Sequence, residues 1–225
     1  MVNKRQLEAA SPIPLRWVFY RKRLRRKHVT CLDPLTVSSD LVLEPPVIFE
    51  GDVIVYDKVR IGKYSSFGYG KIGTNVTIGR FCAIADNFLL GAVNHPTQWL
   101  SINQFFHTNL YGQNPKAKPY PEHIERTTIG NDVWIGKNVT VLCGLTVGDG
   151  AVLGAGTVVT EDIPAYAIVV GNPAKVVKFR FDEATRKQLV QSRWWDLDEV
   201  ALRSLPYTDI DACLRALKLL RGFSS

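Results

Sequence analysis

Between Ile129 and Val159 an aliphatic residue returns at every sixth position, and mostly polar or small residues fill the gaps. The stretch divides into IGNDVW, IGKNVT, VLCGLT, VGDGAV, LGAGTV and VTEDIP, opened by Ile129, Ile135, Val141, Val147, Leu153 and Val159. Glycine follows four of these openers (Gly130, Gly136, Gly148, Gly154), and a small or β-branched residue usually stands four places after each. A helix places apolar residues at a period near 3.6 and a half-buried strand at a period of 2, so a strict six fits neither. It fits a parallel β-helix, in which each hexad is one short strand and a turn, and three hexads close one coil of a triangular prism. The openers point inward and stack on those of the coils above and below.

Counting back in sixes extends the pattern to Leu43, Phe49, Val55 and Ile61. Phe67 opens a block of only five residues, FGYGK, after which the phase resumes at Ile72, Ile78 and Ile84. Glycines lie in the shortened block, where the backbone can tighten. The two runs hold about fourteen hexads, or roughly five coils, which stack to about 24 Å at a strand spacing of about 4.8 Å.

Between the runs, residues 89–122 lose the period altogether. An excursion of this length inside a compact domain is usually functional. It carries Trp99, Phe105, Phe106, Tyr111 and Tyr120, too apolar for a solvated linker, so it should fold back on a surface. After Pro164 the hexads give way to helical sequence. Asp182 can cap a helix running to about Arg193 with Leu189 and Val190 on its inner face. Further helical stretches begin near Asp198 and Asp209. These helices are expected to close the open end of the prism, whose last coil would expose unpaired strand edges. The expected organisation is thus a basic segment over 1–40, a β-helix over 41–178 and a helical cap over 179–225.

Composition changes the picture in two places. The formal charge of the 225 residues is +7, but nine Lys and Arg against Glu8 give the first thirty residues +8 and leave −1 for the rest. The charge belongs to a segment and not to the fold, which argues against nucleic-acid binding. Within it, residues 12–27 (PIPLRWVFYRKRLRRK) combine aromatic and basic side chains in the manner of an interfacial helix on anionic lipid; packing on the prism or on another subunit is the competing reading. The four cysteines, Cys31, Cys82, Cys143 and Cys213, are scattered and form no CxxC, so neither a zinc site nor a disulfide framework is suggested. Without an apolar run of about 18 residues or a secretory signature, a cytoplasmic protein is expected, with residues 12–27 as a possible contact at the inner face of the membrane.

The segment Ile129–Phe181, with its DVWIG, GAGTVVT and VGNPAKV elements, resembles the hexapeptide-repeat acyltransferases. Asn94-His95 in the loop and RWWDLDE over Arg193–Glu199 make the chain similar to the xenobiotic acetyltransferase subgroup, which includes chloramphenicol and streptogramin acetyltransferases and enzymes that acetylate surface polysaccharides. The resemblance covers about residues 50–200. It implies an all-β, left-handed parallel β-helix with an inserted loop and C-terminal helices, a homotrimer, acetyl-CoA as donor, and sites in clefts between subunits.

His95 also has a case from its own chemistry. Acetyl transfer to a hydroxyl needs a base near neutral pKa, and imidazole is the natural one. His95 sits where the long loop leaves the prism, and its position matches the family's catalytic histidine. Asn94 beside it is a substrate-binding candidate. His107 and His123 lack such a context and read as loop residues. For CoA, the resemblance points to Lys137 and Ala155 on the coil wall, Thr160 near the end of the repeat, and Lys175 and Lys178 in the exit strand, with Arg180 a further phosphate contact. Glu161 stands where related enzymes often have lysine. Trp134 should point outward and form a cleft wall; Trp194 and Trp195 read as packing. No metal is called for, and no cysteine has a base beside it for covalent catalysis.

Together these readings point to an acetyl-CoA-dependent O-acetyltransferase acting on a sugar hydroxyl in surface polysaccharide or lipopolysaccharide biosynthesis. The alternatives are N-acetylation of a nucleotide-linked amino sugar, acetylation of an antibiotic, and a non-catalytic β-helix scaffold. A metal-dependent carbonic anhydrase on the same fold would need three histidines on neighbouring coils, which the hexads do not supply.

Overall fold

The computed structural model describes residues 29–31, 35–38, 40–107, 114, 116–118, 120 and 123–222; the basic stretch 12–27 lies outside them. Three parallel sheets wrap one column. The first face holds eight strands, from Val29–Cys31 through Val47–Phe49, Ser65–Phe67, Ala83–Ile84, Trp134–Ile135 and Val152–Leu153 to Ala167–Val170 and Lys175–Phe179. The second face holds six and the third five. Every neighbouring pair is parallel except the last on the first face, where Lys175–Phe179 turns back antiparallel on Ala167–Val170.

Within a typical strand the central side chain faces out and its two neighbours face in, as at Val47–Phe49, Val53–Val55 and Val76–Ile78. This geometry explains the hexad: the opener and the residue two before it both enter the prism. All six openers from Ile129 to Val159 are essentially inaccessible, as are Val133, Val139, Ala151 and Thr157 before them. Phe49, Phe67 and Phe88 stack along the axis with centroids 5.1 and 6.1 Å apart. The five-residue block is absorbed at Gly70, where a Cβ would lie 2.7 Å from the Phe88 ring; that ring fills the space a side chain would need.

The column is longer than five coils. Its seven parallel strands on the first face correspond to roughly 29 Å at about 4.8 Å per step. The extra length is at both ends: Val29–Cys31 pairs with Val47–Phe49 and Leu35–Val37 with Val53–Val55 at the N-terminal end, and Ala167–Val170 adds a parallel strand beyond Val152–Leu153 at the other. Among the described residues pairing therefore begins at Val29, within the stretch read as the basic segment. The second face also continues into the presumed loop: Phe88–Ala92 keeps its partners on both sides, with a bulge at Gly91, whose φ is +77°.

In the C-terminal part, helices span Glu183–Ser192, Glu199–Ser204 and Ile210–Arg221, with a 3-10 turn at Trp194–Asp196. Asp182, Asp198 and Asp209 each accept a hydrogen bond from the backbone N–H three residues on, which satisfies an otherwise orphaned donor of the first turn. Leu189 is buried but Val190 is exposed, because adjacent helical residues point about 100° apart. The helices lie along the column's flank instead of over its end. Glu199 accepts a hydrogen bond from Tyr64, Asp196 pairs with Arg80 at 2.6 Å, and Trp194 meets Phe81 at 5.0 Å. Those partners occupy the edge between the third and first faces, and on the same edge of the last coil Tyr166 packs in one cluster with Leu189, Leu197 and Leu214.

Candidate active site

The loop that interrupts the repeat leaves the column after Ala92, whose carbonyl still accepts the Cys143 N–H of the next coil. A turn follows, in which the Thr97 N–H donates to the His95 carbonyl and the Trp99 N–H to that of Pro96. This turn sets His95 on the surface with its Nδ1 2.9 Å from the Ile102 carbonyl oxygen. A carbonyl can only accept, so Nδ1 must carry the hydrogen. In the neutral ring the lone pair is then on Nε2, and Nε2 is the atom able to take a proton from an acceptor.

Beyond Ile102 the chain forms a short helix, Gln104–His107, and packs on itself as its aromatic content suggested. Trp99 meets Tyr120 at 5.5 Å and Phe105 meets Phe106 at 5.1 Å, while the Phe106 carbonyl accepts the Lys118 N–H. His107 is not a solvated loop residue: it is 8% exposed, and its ring lies 5.7 Å from that of His95 and 6.5 Å from that of Tyr120. No sequence pattern pointed to it, because its burial follows from how the loop folds.

The other candidates fall on two edges of the prism. His95, Asn94 and Thr160 belong to the edge between the second and third faces, where the chain leaves Ala92 and Val159; Asn94 and Thr160 are both exposed. Lys137 and Ala155 belong to the edge between the first and second faces. They stack in successive coils: the Gly156 N–H donates to the Lys137 carbonyl, and a Cβ on Gly136 would lie 2.7 Å from the Ala155 nitrogen. The close approach requires glycine there. Both side chains are exposed, and Lys137 has Asp86 4.0 Å from its Nζ. Lys175 and Lys178 are exposed on the antiparallel exit strand. Trp134 points outward from the first face and is 56% exposed. A three-residue strand, about 10 Å at 3.3 Å per residue, separates the two edges.

Arg180 departs from expectation. Its guanidinium is 2.8 Å from Asp132, donates to the Gly150 carbonyl, and stacks on Tyr166 and Phe181. Burial pushes the Asp132 carboxyl upward and Arg180 opposes that shift. Arg180 thus fastens the exit strand to the column and is not available as a phosphate ligand. Trp195 is buried at 2% exposure and Trp194 packs on Phe81. Cys82 lies inside the prism, where burial raises its thiol to about 12, far from a nucleophile's range.

The repeat itself matches the family model for the bacterial transferase hexapeptide, six repeats, over residues 126–161. A probable macrolide acetyltransferase of Lysinibacillus sphaericus is 38% identical over 134 residues, which is 57% of this chain and 73% of that protein. The chain belongs to the hexapeptide-repeat acetyltransferases. The galactoside O-acetyltransferase of Escherichia coli K12 is 34% identical over 146 residues, 64% of this chain and 63% of that enzyme, so here the chain spans just under two thirds of its relative's length. Among solved structures, an N-acyltransferase of Bacillus cereus in complex with dTDP and 3-hydroxybutyryl-CoA shares the fold, with TM-score 0.52, 17% identity and coverage of 76% of this chain and 95% of that one. The macrolide relative is consistent with the xenobiotic acetyltransferase subgroup.

Proposed function

We propose that this acetyltransferase carries an acetyl group from acetyl-CoA to a sugar hydroxyl in surface polysaccharide or lipopolysaccharide biosynthesis, with His95 as general base. The observation that carries this reading is the Nδ1 contact of the exposed His95 with the Ile102 carbonyl, which leaves the lone pair on Nε2 at the root of the loop. Similarity to a galactoside O-acetyltransferase supports a hydroxyl acceptor on a saccharide.

In the proposed reaction Nε2 takes the acceptor proton as the oxygen attacks the thioester carbonyl. A tetrahedral oxyanion forms, the C–S bond breaks, and the His95 imidazolium returns its proton to the departing CoA thiolate. Lys137, Ala155, Thr160, Lys175 and Lys178 hold CoA, while Asn94 and Trp134 face the acceptor. Because these residues sit on separate edges of one column, the reading includes a homotrimer in which one protomer's loop meets the CoA-binding edge of its neighbour. It includes a cytoplasmic location, with residues 12–27 touching the inner face of the membrane; no helix among the described residues is long and apolar enough to cross one.

The test is acetyl-CoA turnover by purified protein, read as CoA thiol release, over a panel of saccharides, nucleotide-linked amino sugars and antibiotics. His95→Ala should lower kcat by about 10²–10⁴-fold, and full activity in that variant would refute the base assignment. The macrolide relative gives antibiotic acetylation a specific claim as second reading; transfer to macrolides or chloramphenicol with no saccharide accepted would establish it instead.

A further inference from the structure

Both ring nitrogens of His107 are buried without a hydrogen-bond partner among the described residues. Leaving polar atoms unpaired in the interior costs stability, so hydrogen bonding does not hold this ring where it is. Its placement comes from ring contacts, with Tyr120 on one side and His95 on the other. The His95 contact is nearly perpendicular, at 76° between planes with centroids 5.7 Å apart, inside the range in which two rings pack edge to face.

The Cβ bond and the Ile102 carbonyl hold the Cγ–Nδ1 side of the His95 ring. The second ring, packed edge to face, is a further contact that limits the swing of the Nε2 side. We propose that His107 is a positioning residue for His95: its ring orients the base and steadies the imidazolium that His95 becomes between accepting the acceptor proton and delivering it to the CoA sulfur. The inference rests on the base assignment made above, and His107 itself touches no reacting atom.

Two variants and a double mutant test it. His107→Leu removes the ring, and its kcat should fall about two- to fivefold, the size of an exposed ring contact of about 0.5–1 kcal/mol converted at 1.4 kcal/mol per decade, with KM for acetyl-CoA unchanged. His107→Phe keeps the face and drops the unpaired nitrogens; it should stay within about twofold of the wild-type kcat and melt no lower. In a His95→Ala background His107→Leu should leave the residual rate unchanged, since its effect acts through His95. If His107→Phe is as slow as His107→Leu, or His107→Leu slows the His95→Ala enzyme as much as the wild type, the proposal is wrong and His107 acts through its nitrogens or through loop integrity. Absence of CoA release by the wild type, or full activity of His95→Ala, would remove the functional reading and this inference with it.

Discussion

Trp134 and Ile135 are neighbours on one strand with opposite duties. Ile135 is wholly inside the column and Trp134 mostly outside, since successive strand residues face opposite sides. Ile135→Ala empties a site that stacked coils cannot collapse around and should cost about 2–5 kcal/mol, visible as a lower denaturation midpoint in urea. Trp134→Ala should leave that midpoint nearly unmoved while impairing acetyl transfer; a large loss of stability instead would mean that Trp134 is packing and not a cleft wall. This division was readable from the chain because the hexad fixes which residues face in. The place of His95 at the loop's root was readable because the period breaks just before it. His107 was not: an imidazole's burial inside a loop depends on contacts with Tyr120 and His95 that no period encodes. The engagement of Arg180 with Asp132 was hidden for the same reason, being a contact 48 residues apart in the chain.

At the scale of elements, the coils at the N-terminal end left a signal. Cys31, Val37 and Leu43 stand six apart in phase with Phe49, but a cysteine opener and Pro34 disguised the first of them. The helices were recognisable from their aspartate caps, whereas their position was not, because the docking residues Tyr64, Arg80 and Phe81 lie on corner turns that the hexad treats as surface. That joint is rich in carboxylates and should be sensitive to acid. The hydrogen bond from Arg80 holds the Glu44 carboxyl below its ordinary 4.5, that from Tyr64 does so for Glu199, and the Thr185 amide lowers Asp182 below 3.8. A carboxyl depressed in the folded state contributes stability that is complete above its unfolded value and lost as pH falls through the folded one. Asp132, raised by burial, works in the opposite direction, since the folded state then takes up its proton first. Of the three depressed groups, Glu199 is the one bonded across the joint, through Tyr64, so protonating it should loosen the helices from the column below about pH 4. Pepsin digestion at that pH should cut within residues 182–222 well before the coils; cleavage of the coils at the same rate would contradict a separable cap. Arg80→Gln should bring the same susceptibility to neutral pH, read with a protease active there.

Taken whole, the molecule gives each edge of its prism a different task. The edge between the third and first faces carries the helices through Tyr64, Arg80 and Phe81. The edge between the second and third faces carries the loop with His95, and the edge between the first and second carries Lys137 and Ala155. A single rigid column keeps its second face between the last two, whereas the proposed ring of three columns would set one protomer's second–third edge against the next one's first–second edge. Such a ring makes a strong prediction about mixtures. His95→Ala and Lys137→Ala should each depress transfer, the second through a higher KM for acetyl-CoA, as expected for loss of one charge-assisted phosphate contact worth about 1.5–3 kcal/mol. Trimers refolded from both variants together should regain activity, because some interfaces then pair an intact His95 with an intact Lys137 from the neighbouring chain. At subsaturating acetyl-CoA, recovery near one quarter of the wild-type rate is expected for random mixing at equal proportions when the two residues come from different protomers. That figure is about the chance that a given interface draws an intact partner on each side, one half times one half, the interfaces lacking only Lys137 adding little. Activity that never rises above the mean of the two parent variants would place both residues in one protomer's site and dissolve the shared-cleft arrangement, whatever mass the assembly shows in solution.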